Sequence, residues 1–211
     1  MRVVVINGSP RKKGNTSIAL EAVCKVLRQG GVETEFIHVG NKNIHGCIAC
    51  NKCVENKNER CIINNDEVNE WLQILKDADG ILLGSPVYYA GIAGTMKCFL
   101  DRAFYVAYAN GGWFTNKVGA GVVALRRGGA TATYSGLNFY LGMSQMLIPT
   151  STYWNMAHGA APGEAICDGE GMQVMENLGK TFLWLLQMKE ATKEGVPLPV
   201  YNETIRTNFI R

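Results

Sequence analysis

The chain has 211 residues, of which 21 are Lys or Arg and 18 are Asp or Glu. A hydrophobic fraction of 47% against 18% charged residues excludes an intrinsically disordered chain. The net charge of +3 is too small to predict nucleic-acid binding, which needs Lys and Arg clustered on one face. The length predicts a single domain that buries a sufficient core without disulfides.

The sequence predicts neither a membrane span nor a signal peptide. Its densest apolar stretch, residues 182–188, is far shorter than a spanning helix. At the N-terminus, residues 3–6 read as a buried strand and residues 7–10 as a turn, which does not fit a signal peptide. We therefore expect a cytoplasmic protein whose seven cysteines are thiols rather than disulfides.

Strand and helix patterns alternate along the chain. Apolar, β-favouring runs predict five strands, at residues 3–6, 34–39, 81–84, 117–125 and 150–154. Apolar residues at helical spacing predict helices between and after them, near residues 20–27, 67–77, 96–103 and 132–146 and up to about residue 193. This alternation predicts an α/β fold with a doubly wound five-stranded parallel sheet, and we expect the strand order 2-1-3-4-5.

Two segments fall outside this alternation. Residues 41–65 are polar, rich in Asn and hold four of the cysteines, so they form an insertion after the second strand. Residues 196–211 begin with Val-Pro-Leu-Pro, which cannot continue a helix. We predict one domain over residues 1–195, with this insertion, and a C-terminal arm over residues 196–211. An extended apolar arm of this kind favours a homo-oligomer.

The first predicted strand leads into the sequence GSPRKKGNTS, residues 8–17, and then into a helix. A helix N-terminus with glycines, short polar side chains and Arg11 suits an anion. The loop lacks both the G-x-G-x-x-G pattern of dinucleotide sites and the Gly-Lys-Ser/Thr ending of a P-loop. It predicts a site for a single phosphate monoester, such as that of FMN, with an ordinary helix cap as the alternative.

Two further loops follow the third and fourth predicted strands. Residues 85–91 combine a Pro turn with two tyrosines, which suits a flat heterocycle, and residues 126–129 end in a Gly pair that leaves room for a ring. Either loop alone is an ordinary core or surface feature. Since ligands bind at the carboxyl ends of parallel strands, three such loops predict one binding site.

Together these motifs resemble those of the flavodoxin-like FMN reductase superfamily. The resemblance extends in order over most of the chain, through residues 8–17 and 85–89 to Lys97 and Phe99-Leu100-Asp101-Arg102. It implies a flavodoxin-like fold with noncovalent FMN. It also implies the residues that bind FMN, namely Ser9, Arg11, Asn15, Thr16 and Ser17 at the phosphate, Pro86, Val87, Tyr88 and Tyr89 along the isoalloxazine ring, and Arg126, Arg127 and Gly128 on its far side.

The cysteines of the insertion have the spacing Cys47-x2-Cys50-x2-Cys53-x7-Cys61. Four thiolates this close can hold an iron–sulfur cluster or zinc. Zinc ribbons usually separate two Cys pairs by a longer stretch, so three closely spaced cysteines and a fourth favour a cluster. The spacing differs from the bacterial ferredoxin run, because no Pro follows Cys61. Zinc and free thiols stay open as alternatives.

Within the superfamily, this motif resembles that of the iron–sulfur flavoproteins, which implies a [4Fe–4S] cluster close to FMN. Because the insertion follows the second strand, we expect it on the same edge of the sheet as the phosphate loop. The implied function is electron transfer between an external donor, the cluster and FMN to a small acceptor. The donor is ferredoxin by resemblance to the iron–sulfur flavoproteins and NAD(P)H by resemblance to the wider superfamily.

No catalytic nucleophile or acid–base pair is expected, since the cofactors carry the chemistry. One alternative is a cluster-free NAD(P)H:FMN or quinone reductase with structural or zinc-bound cysteines. Another is a flavodoxin-type electron carrier without turnover of its own. The slightly basic chain counts against the carrier, because carriers that dock on basic partners tend to be strongly acidic.

Overall fold

A six-stranded sheet forms the centre of the protein. The computed structural model describes residues 1–201 together with residues 205, 207 and 209. Five strands run parallel, β1 (Arg2–Asn7), β2 (Glu33–His38), β3 (Gly80–Tyr88), β5 (Val118–Leu125) and β6 (Met156–His158). The short strand β4 (Gly91–Ile92) pairs antiparallel with the end of β3.

Helices cover both faces of the sheet, as the near-continuous apolar strands require. They are α1 (Asn15–Gln29), α2 (Lys52–Asn56), α3 (Val68–Lys76), α4 (Gly94–Ala109), α5 (Ala130–Met143) and α6 (Gly169–Thr192), with a 3-10 turn at Glu164–Cys167. Alternate residues of β1 face opposite sides: Val4 and Ile6 join the core under α3, α4 and α5, and Val3 and Val5 join the core under α1 and α6.

The order of the strands across the sheet is β2-β1-β3-β5-β6. Since β4 lies off this path, the five parallel strands have the predicted order 2-1-3-4-5, and the flavodoxin-like topology is confirmed. No helix within the described part of the chain is long and apolar enough to cross a membrane.

The predicted position of the last strand, residues 150–154, is wrong. Residues 152–154 are exposed. After an isolated bridge between Leu147 and Val118, pairing with β5 resumes only at Asn155, whose carbonyl accepts a hydrogen bond from Val123 N–H at 2.9 Å. The buried Asn155 side chain also donates to the Gly121 carbonyl at 3.0 Å. Residues 150–154, despite their β-favouring composition, therefore form the segment that leads into the strand. The strand itself is Met156–His158.

Several loops meet where the parallel strands end. Gly8 N–H, just after β1, donates to the Gly84 carbonyl of β3 at 2.8 Å, and Gly159 N–H, just after β6, donates to Leu125 of β5 at 2.8 Å. Val39 N–H, just after β2, donates to Asn7 of β1 at 3.0 Å. The predicted site loops therefore share one edge of the sheet, which we call the ligand edge.

The two segments outside the alternation differ in how they pack. The insertion, residues 41–65, contains only the five-residue α2 and lies against α4. Residues 196–201 of the predicted arm are exposed and form neither helix nor strand. Residues 202–204, 206, 208, 210 and 211 of that arm lie outside the described residues.

Candidate functional site

The loop after β1 is held in one conformation by polar contacts to its neighbours. Ser9 is buried, and its N–H donates to Asn7 Oδ1 at 3.0 Å. Its side-chain Oγ accepts from Arg11 N–H at 3.2 Å, and its carbonyl lies 2.7 Å from His38 Nε2. Arg11 itself is exposed, so its guanidinium is free to reach a ligand bound at the ligand edge.

The N-terminus of α1 carries backbone donors that the protein does not use. Ser17 Oγ accepts from Gly14 N–H at 2.9 Å and donates to the Gly14 carbonyl at 2.7 Å, which closes the turn before the helix. Thr16 is buried beside it. The N–H groups of residues 15–17 have no acceptor among the described residues. Such donors at the positive end of a helix dipole suit a phosphate.

The side chain of Asn15 holds a neighbouring loop rather than pointing freely at the ligand edge. Its Oδ1 accepts from the N–H groups of Gly163 and Ala165 at 3.0 and 3.1 Å, and its Nδ2 donates to the Ala161 carbonyl at 3.0 Å. The amide is thus occupied, and only the backbone N–H of Asn15 is left for a phosphate. The sequence did not indicate that the loop after β6 depends on this residue.

The two loops that are expected to bind the isoalloxazine ring, residues 85–91 and 126–129, contact each other. A Cβ placed on Gly129, which has a φ of +86°, would lie 2.7 Å from Ala90 Cα and 3.0 Å from Val87 Cγ1. Tyr89 and Ala90 adopt left-handed conformations, with φ of +48° and +55°, and this strain is of a kind that clusters at ligand sites. The expected ring-binding residues therefore lie along one open surface, with Pro86 and Val87 half-buried and Tyr88, Tyr89, Arg126, Arg127 and Gly128 exposed.

The four clustered cysteines border one small cavity of about 20 Å³. Cys47 and Cys50 are exposed, Cys53 is buried and Cys61 is half-buried. Burial raises the pKa of the Cys53 thiol, and the neighbouring Cys61 and Cys47 raise it further. Among the residues that the structure describes, no three Cys, His, Asp or Glu side chains are placed to hold a metal ion. The fold thus gathers the predicted ligands around one space without presenting a closed metal site.

The cysteine cavity lies beside the middle of α4, away from the ligand edge. Arg102 and Tyr105 border the cavity, and Tyr105 OH donates to Asn51 Oδ1 at 2.8 Å. Directly after α4, Asn110 Nδ2 donates to the Cys53 carbonyl at 3.4 Å. Because α4 starts at the ligand edge with Gly94, Tyr105 is roughly 16 Å along the helix from it. The insertion begins at the expected edge, and its cysteines lie along α4.

Arg102 is a residue of this site to which the sequence motif assigned no role. Its side chain is fully buried and makes a two-pronged ion pair with Asp66, to Oδ1 at 3.1 Å and to Oδ2. The signal in the sequence was a charge on the apolar face of α4, beside Phe99 and Ala103. A charge at such a position requires a partner, and that partner, Asp66, directly follows the insertion.

The sequence is similar to known flavoproteins over most of its length. Residues 1–161 match the family described as NADPH-dependent FMN reductase. An iron–sulfur flavoprotein of Methanocaldococcus jannaschii is 38% identical over 187 residues, which cover 85% of this chain and 94% of the relative. One of Archaeoglobus fulgidus is 31% identical over 212 residues, covering 99% and 92%.

Solved structures share the fold at much lower sequence identity. RosB with a bound flavin intermediate, 8-demethyl-8-formylriboflavin-5'-phosphate, superposes with a TM-score of 0.68 at 14% identity, covering 100% of this chain and 94% of that one. A WrbA-like flavodoxin from Agrobacterium tumefaciens gives a TM-score of 0.60 at 18% identity, covering 89% and 97%. These similarities establish the flavodoxin-like fold.

Replacing Gly40 with Ala tests how closely the loop after β1 is held. The new Cβ would lie 2.0 Å from the Ser9 carbonyl oxygen, a backbone atom that cannot rotate away. We expect a loss of about 2 kcal/mol of stability and less bound flavin per chain, measured by thermal unfolding and by flavin absorbance. Gly169→Ala is the control, because its Cβ meets no atom within 4 Å, and a loss of flavin from this variant as well would contradict the interpretation.

Proposed function

Since this chain belongs to the iron–sulfur flavoproteins of the NADPH-dependent FMN reductase family, we propose that its four clustered cysteines hold a [4Fe–4S] cluster. The protein is an FMN-dependent oxidoreductase. In the proposed reaction, electrons pass from ferredoxin or NAD(P)H through the cluster and FMN to a small acceptor. The observation that carries the proposal is that Cys47, Cys50, Cys53 and Cys61 all border one cavity.

Bound FMN supplies one- and two-electron chemistry and the cluster supplies one-electron chemistry, so the chain has to bind, orient and separate them. We assign the FMN phosphate to the side chains of Ser9, Arg11 and Thr16 and to the free N–H groups of residues 15–17. Ser17 contributes its N–H only, because its hydroxyl is bonded to Gly14. The ring is assigned to the touching loops of residues 86–89 and 126–128. Exposed Tyr88 and Tyr89 offer it an apolar surface, and Gly128 has no atom near its Cβ position.

The proposed organisation of the chain follows from these assignments. Residues 1–195 form the flavodoxin-like FMN-binding domain and residues 196–211 an arm outside it. We place the protein in the cytoplasm, because cluster ligands must be thiolates and cytosolic thiols are kept reduced. The donor is identified by comparing the steady-state oxidation of NAD(P)H with that of reduced ferredoxin. Absence of turnover with both donors would identify the protein as an electron carrier.

The cluster is tested by anaerobic purification followed by iron, sulfide and FMN analysis. We expect about four irons and four sulfides per FMN in the unchanged protein, and the loss of most iron in Cys50→Ser with FMN retained. Cys167→Ser is the matched control, since Cys167 is exposed but lies outside the cavity, and it should keep its iron.

FMN without iron in the unchanged protein would overturn the cluster and leave a cluster-free FMN or quinone reductase. That alternative is favoured by the similarity to an NADPH-dependent FMN reductase of Pseudomonas putida, 27% identical over 101 residues that cover 48% of this chain and 46% of the relative. Zinc in place of iron, lost on Cys50→Ser, would identify the four cysteines as a structural metal site.

The phosphate assignment is tested with Arg11→Ala and two ligands. A hydrogen bond between charged groups contributes roughly 1.5–3 kcal/mol, so FMN should bind about 10- to 100-fold more weakly. Riboflavin, which lacks the phosphate, should bind with unchanged affinity in a fluorescence titration. Lys25→Ala removes the same charge from an exposed position within α1 and serves as the control. An equal loss of riboflavin binding would show that Arg11 supports the fold rather than the phosphate.

We further propose that a second copy of the chain covers an apolar groove between α4 and α5. The groove has a volume of about 1030 Å³ and is lined mainly by apolar and aromatic side chains. Phe139 and Met143 at its wall are each 73% exposed, and Tyr201 of the arm reaches it. Apolar surface of this extent on a protein commonly marks an interface, and the arm gives a second copy a further apolar segment to contact.

Phe139→Asp is expected to dissociate this oligomer, because it buries a charge in the apolar interface. Light scattering during size-exclusion chromatography measures the mass directly. Trp184→Asp introduces the same charge at a 57%-exposed aromatic on α6, outside the groove, and should leave the mass unchanged. A monomeric unchanged protein, or dissociation by the Trp184 variant alone, would contradict the proposed interface.

A further inference from the structure

The buried guanidinium of Arg102 has one donor that the protein leaves unused. Its two terminal nitrogens donate to Asp66, to the Ile63 carbonyl at 2.9 Å and to the His45 carbonyl at 3.4 Å. The remaining nitrogen, Nε, is buried and meets no hydrogen-bond acceptor within the described part of the chain. An unsatisfied charged donor in a protein interior is costly, so its retention calls for an acceptor that completes it.

The unused donor belongs to a side chain that borders the cysteine cavity. Arg102 lines this cavity together with all four cysteines. Among the four cysteines, Cys61 lies two residues before Ile63, whose carbonyl accepts a hydrogen bond from the same guanidinium at 2.9 Å. Cys61 is therefore the cysteine that we relate to Arg102.

The position of Cys61 is fixed independently of its sulfur. Asn69, itself buried, accepts from Cys61 N–H at 2.8 Å and donates to the Cys61 carbonyl at 3.0 Å. A second hydrogen bond from the same Asn69 amide reaches the Ile63 carbonyl at 3.1 Å, which also accepts from Arg102. Asn69 and Arg102 thus hold one short segment, residues 61–63, whose Cys61 borders the same cavity as the guanidinium.

We propose that Arg102 donates its Nε–H to a sulfur of the iron–sulfur cluster, at Cys61, and thereby sets the reduction potential of that cluster. The assignment rests on the proposed cluster and adds a positioning residue to it. Hydrogen bonds to cluster sulfurs stabilise the more negative, reduced state, which raises the reduction potential. Partners of this kind also hold metal ligands in place, and their loss typically weakens metal binding about 10- to 100-fold.

The test compares Arg102→Met and Arg102→Lys with Asp66→Asn in full-length protein reconstituted anaerobically with iron and sulfide. An EPR-monitored redox titration gives the midpoint potential, and a chelator gives the rate of iron loss. Both Arg102 variants lack Nε–H, so we expect more negative potentials and roughly tenfold faster iron loss. Asp66→Asn breaks the ion pair but keeps Nε–H, so its potential should not become more negative.

Bound FMN serves as the measure of folding in each variant, and Arg102→Lys carries the test if Arg102→Met does not fold. Unchanged potentials in the Arg102 variants of a cluster-containing protein would overturn this assignment alone. Equal negative shifts in the Arg102 variants and Asp66→Asn would also overturn it, since they would show a general effect of loosening the insertion. An unchanged protein that binds no iron would overturn the proposed cluster and the role of Arg102 with it.

Discussion

The ion pair between Arg102 of α4 and Asp66 of the segment before α3 holds the cysteine insertion on the fold. Both side chains are almost completely inaccessible, at 0% and 3% exposure. Removing one partner of such a pair leaves an uncompensated buried charge, at a cost of about 3–5 kcal/mol. The insertion has little regular structure of its own, so this pair and the hydrogen bonds around it determine where its cysteines lie.

The ligand edge obeys a different constraint, the parallel direction of the strands. Parallel strands carry their following loops to the same edge, and right-handed crossovers put the helices on the two faces. Contacts between loops then fix their relative positions: Asn15 binds the loop after β6, and Gly129 lies against Ala90. The shape of the ligand edge therefore depends on topology and on a few close approaches between its loops.

Helix α4 connects the two regions. Its N-terminal end lies beside the loop after β1, since a Cβ on Gly8 would meet Met96 Cβ at 2.6 Å, and its middle borders the cysteine cavity. A rigid helix between the sites keeps their separation constant. The proposed electron relay requires such a constant separation, because electrons pass between two cofactors that stay in fixed positions.

Local patterns in the sequence were sufficient for the alternation of strands and helices, the loops of the ligand edge and the identity of the clustered cysteines, whereas the strand order was an expectation that such patterns do not fix. Apolar runs, glycine turns and cysteine spacing are properties of neighbouring residues, so they can be read from the chain alone. The last strand was predicted too early in the chain because residues 150–154 have a β-favouring composition. Where that strand pairs with β5 depends on the tertiary structure, in which Asn155 pairs with Val123.

By itself, then, the sequence determined a flavodoxin-like flavoprotein with four cysteines as candidate cluster ligands. Only the tertiary structure decided that Asn15 supports a loop, that the cysteines lie along α4, and that Arg102 faces them. Each of these depends on residues far apart in sequence, such as Asn15 with Gly163 and Arg102 with Asp66. Burial of a polar group creates the need for a partner, and the folded chain alone determines which residue is within reach.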